Sequence, residues 1–217
     1  MRKIYTSIYQ PVVRRRIHRT TFYTYRELRL RIPPGVFHPG YFYSTRLLLE
    51  YIKLYDLQGK RFLELGAGSG LISFVAAKAG ARVTAIDINP AVIENLHENA
   101  RTNRVEIEIL HSDLFSALPG RIFDHIVINP PYYPKNPKNS FEQAWYCGED
   151  HAYFRKLFPA LRSAITSDTH VDMVLSESCD LQMIENIAAG SGIQMKMTQR
   201  ASKFRESHFI FELQSTA

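Results

Sequence analysis

The sequence predicts an α/β protein whose central sheet is mostly parallel, preceded by a small β-rich segment. The first observation is the run from Phe62 to Lys78, in which a short apolar strand, a glycine-rich turn and an apolar helical pattern follow one another directly. The second is the alternation of strand-like and helix-like runs that continues to residue 189. Two strand-like runs without a long helix between them close the chain, which predicts a terminal antiparallel pair.

The turn at Gly66–Gly70 predicts a ligand site at the carboxyl edge of the sheet, against a helix N-terminus. Its spacing does not fit a dinucleotide fingerprint, because Leu71 stands where the third glycine belongs. No Lys-Ser or Lys-Thr pair follows, which excludes a P-loop, and Ser69 is one residue too late for a nucleophile elbow. Glu64, two residues before the first glycine, favours a cationic or amine-bearing ligand, although an ordinary tight turn uses the same glycines.

The segment before this turn predicts one or two strands and then a helix. Residues 20–32 are rich in aromatic and β-branched side chains and alternate partly, as strands do. Residues 33–35, Pro-Pro-Gly, end them, and a helix is expected over Arg46–Leu57, stopped by Gly59. Thr45 directly precedes that helix, so we expect it to be the helix cap or an early-turn residue, and its hydroxyl is also a candidate to reach a cofactor.

The second parallel strand is expected at Arg82–Asp87 and ends in a carboxylate. Asp87 lies 17 residues beyond Gly70, close to where a ribose-binding acid belongs in a nucleotide-binding βαβ unit. A carboxylate suits this role because it accepts two hydroxyl hydrogens at once. Asn89 is the predicted cap of the next helix, with Pro90 at its first position. The alternative is that Asp87 only supports that helix start.

The strand predicted at Val105–Leu110 is followed by Asp113, which places another carboxylate at a strand end. Asp113 is therefore a candidate ligand-binding residue. Capping of a short turn before Pro119 explains it equally well from the residues alone.

The fourth strand, Ile122–Ile128, leads directly into Asn129-Pro130-Pro131-Tyr132. Two consecutive prolines fix the backbone and remove two donors, so the chain is stiff where the sheet ends. The Asn129 side-chain oxygen and the Pro130 carbonyl can then present two acceptors to one NH2 group, and Tyr132 offers a flat face for stacking. A rigid turn without chemistry is the alternative.

The remaining elements complete the predicted fold. They are a Pro/Lys/Asn loop at 133–139, a helix at about 150–165, a strand at 171–177, a helix at 181–189, and strands at 193–199 and 208–213. Cys147 lies near the predicted site, and we expect it to be structural because nothing beside it would lower the pKa of its thiol.

The charge of the chain is uneven. Residues 1–31 hold nine basic side chains against the single acid Glu27, whereas the remainder is near neutral. A basic segment can attract phosphate, and a solvated strand surface explains it equally well. We predict no metal site, and we expect a cytoplasmic protein, because the sequence shows neither a leader nor a membrane-spanning run.

With these motifs the chain resembles the class I S-adenosylmethionine (SAM) methyltransferases of the NPPY subgroup, over about residues 36–213. Within it the chain is most similar to the HemK-type glutamine methyltransferases of translation release factors, through the segments at 37–48, 129–132 and 144–148. Ser44 departs from that pattern, since an acid usually precedes the threonine. The resemblance implies a Rossmann-like seven-stranded sheet, mostly parallel with an antiparallel C-terminal strand. It also implies a methyltransferase domain at 36–217 after a basic extension at 1–35.

The resemblance further implies SAM as cofactor and methyl transfer to a planar nitrogen. The implied catalytic residues are Asn129, Pro130 and Tyr132, and the implied cofactor-binding residues are Thr45, Glu64, Gly66, Gly68, Gly70, Asp87, Ile88, Asp113, Leu114 and Asn129. Among them Glu64 is assigned to the amino group of SAM, Asp87 to its ribose and Asp113 to its adenine. A protein glutamine is the first substrate candidate, with a translation factor as partner. An RNA base and a non-catalytic SAM- or nucleotide-binding module are the alternatives, and an activating subunit is left open.

Overall fold

The computed structural model describes residues 19–140, 142–203 and 206–216. The elements in chain order are β1 (Thr21–Tyr25), β2 (Leu28–Ile32), α1 (Tyr43–Ile52), β3 (Arg61–Leu65), α2 (Leu71–Lys78), β4 (Arg82–Asp87), α3 (Pro90–Asn103), β5 (Glu108–His111), β6 (His125–Ile128), α4 (Ala152–Ala164), β7 (His170–Ser176), α5 (Leu181–Gly190), β8 (Ile193–Lys203) and β9 (Glu206–Ser215). The part of the predicted basic segment before residue 19 lies outside the described residues.

The central sheet has seven strands in the order β5-β4-β3-β6-β7-β9-β8. Strands β3 to β7 pair in parallel, whereas β9 is antiparallel to both β7 and β8. The predicted mostly parallel sheet with an antiparallel C-terminal strand is therefore confirmed. Because parallel strands end at the same edge, the residues that follow β3, β4, β5 and β6 meet at the carboxyl edge of the sheet.

Helices cover both faces of the sheet, which explains why its central strands are apolar throughout. One face packs against α4 and α5, where Phe158 and Ile184 are fully buried. The other packs against α1, α2 and α3, where Leu48, Phe74 and Leu96 are fully buried. The sheet is thus held rigidly between two apolar layers, and its carboxyl edge is a fixed platform for a site.

The predicted β-rich N-terminal segment is an antiparallel hairpin, β1–β2, that lies on α3. Asn99 of α3 accepts a hydrogen bond from the Arg31 backbone (2.8 Å) and donates one to its carbonyl (3.0 Å). Asn103 does the same with Arg29, at 2.8 and 2.9 Å. The two asparagines satisfy the backbone of β2 as a neighbouring strand would. The domain boundary at residue 36 stays a prediction.

Several element boundaries differ from the prediction for local reasons. Helix α1 runs over Tyr43–Ile52 instead of Arg46–Leu57, because Leu54 and Tyr55 donate to carbonyls three residues back and tighten the chain into turns. Thr45 therefore lies in the first turn of the helix and is not its cap. Asn89 does cap α3 as predicted, since its side chain accepts from the backbone of Ala91.

The glycines of the turn after β3 separate into two kinds, and this difference can be tested. A Cβ on Gly70 would lie 2.6 Å from Leu96 and 2.9 Å from Phe74, whereas one on Gly66 would meet nothing within 4 Å. Both have φ near +80°, so both substitutions carry the left-handed penalty. We expect Gly70→Ala to lower the free energy of unfolding by about 2–4 kcal/mol and Gly66→Ala by about 1–2 kcal/mol, in urea titrations. Equal losses would contradict the packing role of Gly70.

Candidate functional site

A cleft of about 350 Å³ opens at the carboxyl edge of the sheet. Its walls are the segment around Phe37, the glycine turn, the residues after β4, β5 and β6, and the loop from Asn136 to Gly148. Nine of the predicted site residues line it: Thr45, Glu64, Gly66, Gly68, Asp87, Ile88, Asp113, Leu114 and Asn129. The structure therefore brings most of the predicted site together.

The glycine turn and Asp87 are joined through backbone hydrogen bonds. Asp87 accepts from the N–H of Gly68 at 3.1 Å and from that of Asn89 at 2.9 Å, one bond on each carboxylate oxygen. Burial raises the pKa of Asp87, and these N–H donors oppose the rise. Because a carboxylate oxygen accepts more than one hydrogen bond, Asp87 can still bind hydroxyl groups in the cleft. It supports the start of α3 as well, so the two predicted roles are compatible.

Glu64 is a buried carboxyl group at the base of the cleft. Its Oε2 accepts from the Ser73 backbone at 2.8 Å and from the Ser73 hydroxyl at 2.5 Å. Burial raises the pKa of Glu64 to about 8, the nearby Asp87 charge adds to the rise, and the Ser73 hydrogen bonds oppose it. A cation placed beside Glu64 would restore the ionised form, so the site fits an ammonium group.

The residues after β4 and β5 form a third wall. Ile88 is 42% exposed and presents apolar surface in the cleft. Leu114 has φ +51°, an uncommon conformation for this residue type, and the Ser112 hydroxyl donates to its carbonyl at 2.7 Å. Asp113 forms an ion pair with Lys156 of α4 and begins a turn in which Ser116 bonds to its backbone. An apolar surface beside an acceptor suits a heteroaromatic ring such as adenine.

Asn129 stands at the carboxyl end of β6, with its side chain at the cleft. Its Nδ2 donates to the Thr45 hydroxyl at 3.3 Å, which turns the amide so that Oδ1 is left over as an acceptor. Within the part of the chain that the structure describes, no donor reaches Oδ1 or the carbonyl of Pro130. The two acceptors predicted from the sequence are therefore both unused by the fold.

Three predicted site residues do not line the cleft. Gly70 packs against the core behind the turn, and Pro130 is buried, with Pro131 on the cleft wall in its place. The ring of Tyr132 is only 9% exposed and belongs to the core beneath α4 and α5, where burial raises the pKa of its hydroxyl. The structure thus corrects the expectation that Tyr132 presents a flat face at the site.

Sequence reasoning missed an aromatic cluster that contributes Phe37 to the cleft wall. Phe37 lies over Gly68, with its Cβ 3.7 Å from where a Cβ on that glycine would be. Its ring contacts Phe42 (4.4 Å between centroids) and Trp145 (5.0 Å), and Phe42 and Trp145 are 4.7 Å apart. Phe37 and Trp145 belong to the segments that carry the family resemblance, but nothing in the sequence indicates that they meet.

Cys147 lines the cleft without the properties of a nucleophile. It is 2% exposed, and burial raises the pKa of its thiol to about 11. Among the described residues no group of His, Cys, Asp and Glu could hold a metal ion. In the same residues no helix is long and apolar enough to cross a membrane.

The raised pKa of Glu64 predicts a pH dependence of stability. The folded protein binds this proton more tightly than the unfolded chain, so the contribution of Glu64 is fully present below pH 4.5 and is lost as the pH rises through about 8. The Glu64→Gln variant can still accept hydrogen bonds from Ser73. We expect its free energy of unfolding, relative to that of the wild type, to rise by about 4 kcal/mol between pH 5 and pH 9. Urea unfolding of both proteins across this range measures the difference, and a constant difference would contradict the shift.

The chain is similar to known methyltransferases. The profile of the family described as methyltransferase small domain matches residues 27–145. A Methanocaldococcus jannaschii protein, whose name proposes a protein N5-glutamine methyltransferase, is 42% identical over 108 residues, which cover 49% of this chain and 52% of that protein. The ribosomal protein L11 methyltransferase of Thermosipho africanus is 42% identical over 105 residues, covering 48% of this chain and 40% of that enzyme. The matched region thus spans about half the length of these relatives.

Solved structures share the whole fold at low sequence identity. The Thermus thermophilus 16S rRNA N2 G1207 methyltransferase, in complex with AdoMet and guanosine, has a TM-score of 0.64 at 19% identity, covering 92% of this chain and 50% of that one. One chain of the E. cuniculi Mtq2–Trm112 complex, responsible for methylation of the eRF1 termination factor, has a TM-score of 0.62 at 17% identity, covering 84% of this chain and 99% of that one. The chain therefore belongs to the methyltransferase small domain family and has the class I SAM-dependent methyltransferase fold.

Proposed function

We propose that this chain is a SAM-dependent N-methyltransferase that acts on a planar nitrogen, and that its substrate is the side-chain amide of a protein glutamine. The observation that carries the reaction type is Asn129, whose Oδ1 has no donor among the described residues and lies at the end of β6, beside the cleft. The M. jannaschii relative supports glutamine as the acceptor. A translation factor is the class of partner that this proposal implies.

The cleft residues fit SAM. Asp87 would hold the ribose hydroxyls, Glu64 would face the amino group, and Ile88 with Asp113 would hold the adenine. When bound, SAM supplies an electrophilic methyl group on a positively charged sulfur. The buried Glu64 favours the ammonium group of SAM over a neutral ligand, because a nearby positive charge would stabilise its ionised carboxylate.

Asn129 and Pro130 would activate the substrate nitrogen. The lone pair of an amide or exocyclic amine is delocalised into its π system, so the nitrogen is a weak nucleophile. Accepting an N–H hydrogen at Asn129 Oδ1 would orient the group and stabilise the positive charge that develops on nitrogen. Pro130 is buried and does not line the cleft, so its carbonyl would accept the second hydrogen only from a substrate amine inserted past Pro131. Thr45 would hold the Asn129 amide in the accepting orientation. The proton becomes acidic only after transfer, so a strong general base is not required.

A second candidate substrate is an exocyclic amine of an RNA base, at adenine N6 or guanine N2. It presents the same NH2 geometry to Asn129. The exposed arginines Arg26 and Arg29 of the N-terminal hairpin, and Arg19 just before it, favour this substrate because they would attract phosphate. A non-catalytic SAM-binding module is the candidate from another class, and it leaves the two acceptors at Asn129 and Pro130 without a use.

The Asn129→Ala variant separates the enzyme from a binding module. We expect kcat to fall by at least about 100-fold, the scale for removal of one preorganised group that stabilises transition-state charge. SAM affinity, measured by calorimetric titration, is expected to stay within about twofold, because Asn129 contacts the substrate in this mechanism. Lost SAM binding with a proportionate loss of activity would instead make Asn129 a cofactor residue.

Labelling of cell extract tests the substrate class. We expect purified protein and tritiated SAM to label a species that is sensitive to protease and resistant to ribonuclease, with complete enzymatic digestion releasing N5-methylglutamine. The Asn129→Ala protein is the control and should give no label. Ribonuclease-sensitive label would favour the RNA base. Activity that needs the extract even with a purified substrate would indicate an activating subunit.

A further inference from the structure

A second, larger concavity lies at the amino edge of the sheet, on the opposite side from the cleft. It is an open groove of about 1110 Å³ between the starts of β3 and β4, the end of α3 and the edge strand β5. Two glutamates and five arginines line it. We name it the arginine groove, after Arg61, Arg82, Arg101, Arg104 and Arg121.

Three of these guanidinium groups have no carboxylate partner among the described residues. Arg82 donates to the Gly59 carbonyl, at 3.1 and 2.9 Å, and Arg101 donates to the His97 carbonyl at 3.3 Å. Arg104 is exposed and makes no side-chain hydrogen bond to a described residue. Because a carbonyl orients a guanidinium without neutralising it, the three positive charges stay available to an anion.

The other two arginines of the groove form ion pairs with carboxylates. Arg61 binds Asp124 and Arg121 binds Glu108, each at 2.7 Å. The Arg121 guanidinium also lies 5.4 Å from the centre of the Phe123 ring. Beside it Ile122 is 45% exposed, so the groove combines cationic and apolar surface.

The positive surface continues onto the N-terminal hairpin. The backbone of Arg29 is hydrogen-bonded to Asn103, which directly precedes Arg104, so the hairpin and the groove are neighbours. Arg26 and Arg29 are exposed on the hairpin. The basic character seen in the first 31 residues of the sequence is thus contiguous, in its described part, with the arginine groove.

We propose that the arginine groove binds single-stranded RNA through its phosphates. Guanidinium groups without carboxylate partners bind phosphate well, and the apolar surface around Ile122 gives unpaired bases a contact that a duplex would not use. The strands between the groove and the cleft are five or six residues long, so the two sites are about 17–20 Å apart. A nucleotide in the groove therefore cannot be the one that is methylated. The groove is a docking site, and it is independent of the proposed glutamine substrate.

The test is the salt dependence of binding to a fluorescently labelled single-stranded RNA, measured by anisotropy. The variant Arg101→Gln/Arg104→Gln removes two positive charges from the groove. Arg155→Gln/Lys196→Gln removes two exposed charges from α4 and β8 and is the matched control. We expect the groove variant to lower the slope of log K against log salt by about 1.4, or about 0.7 for each phosphate that is no longer neutralised, and the control to leave it unchanged.

Equal reductions of the slope in the two variants would overturn the proposal, because net charge alone would then explain binding. Binding of polyglutamate with the same affinity would also overturn it, in favour of an acidic protein. The thermal midpoint and the SAM dissociation constant of the groove variant are expected to match the wild type, which excludes misfolding. If the wild type binds SAM but not RNA, the docking site is overturned and the proposed function is unaffected. If the wild type binds RNA but transfers no methyl group to any substrate, the proposed function is overturned and the docking site is supported.

Discussion

The carbonyl of Ile86 is the point on which the site depends. It accepts hydrogen bonds from the backbone N–H groups of Gly66 (3.0 Å) and Ala67 (2.9 Å), one residue before β4 ends in Asp87. These bonds extend the pairing of β3 with β4 into the glycine turn. They thereby fix the position of the turn relative to the sheet. Gly68 then donates to the Asp87 carboxylate, so the turn and the acid are positioned by one local network. The glycine turn and Asp87 are therefore both ordered before a ligand binds.

Much of this network could be predicted from the sequence because its signals are local. An apolar strand, three alternating glycines and a helical pattern specify a strand–turn–helix unit, and the parallel sheet then places Asp87, Asp113 and Asn129 at one edge. The terminal antiparallel pair followed from the pattern of the last two strands, whereas the count of seven strands came from the family resemblance. Helix ends were less accurate, since the tight turns after Ile52 leave no glycine or proline signal at that position.

Contacts between distant segments could not be predicted. The meeting of Phe37 with Trp145 joins residues more than a hundred positions apart, and the bond between Thr45 and Asn129 spans 84. The inward position of Tyr132 has the same origin, because the face that the ring takes after two prolines is decided by the core under α4. Such contacts depend on how layers pack, and no single-segment pattern encodes them.

The two edges of the sheet favour ligands of opposite charge. At the carboxyl edge, burial raises the pKa of Glu64 and of Asp87, and a cationic ligand would stabilise their ionised forms whereas a phosphate would oppose them. At the amino edge, the guanidinium groups without carboxylate partners among the described residues favour phosphate. Two sites of opposite preference on one rigid sheet cannot compete for the same ligand. A polyanion held at the arginine groove would therefore leave the cleft open to its own ligand and would hold the enzyme near whatever target is bound to that polyanion.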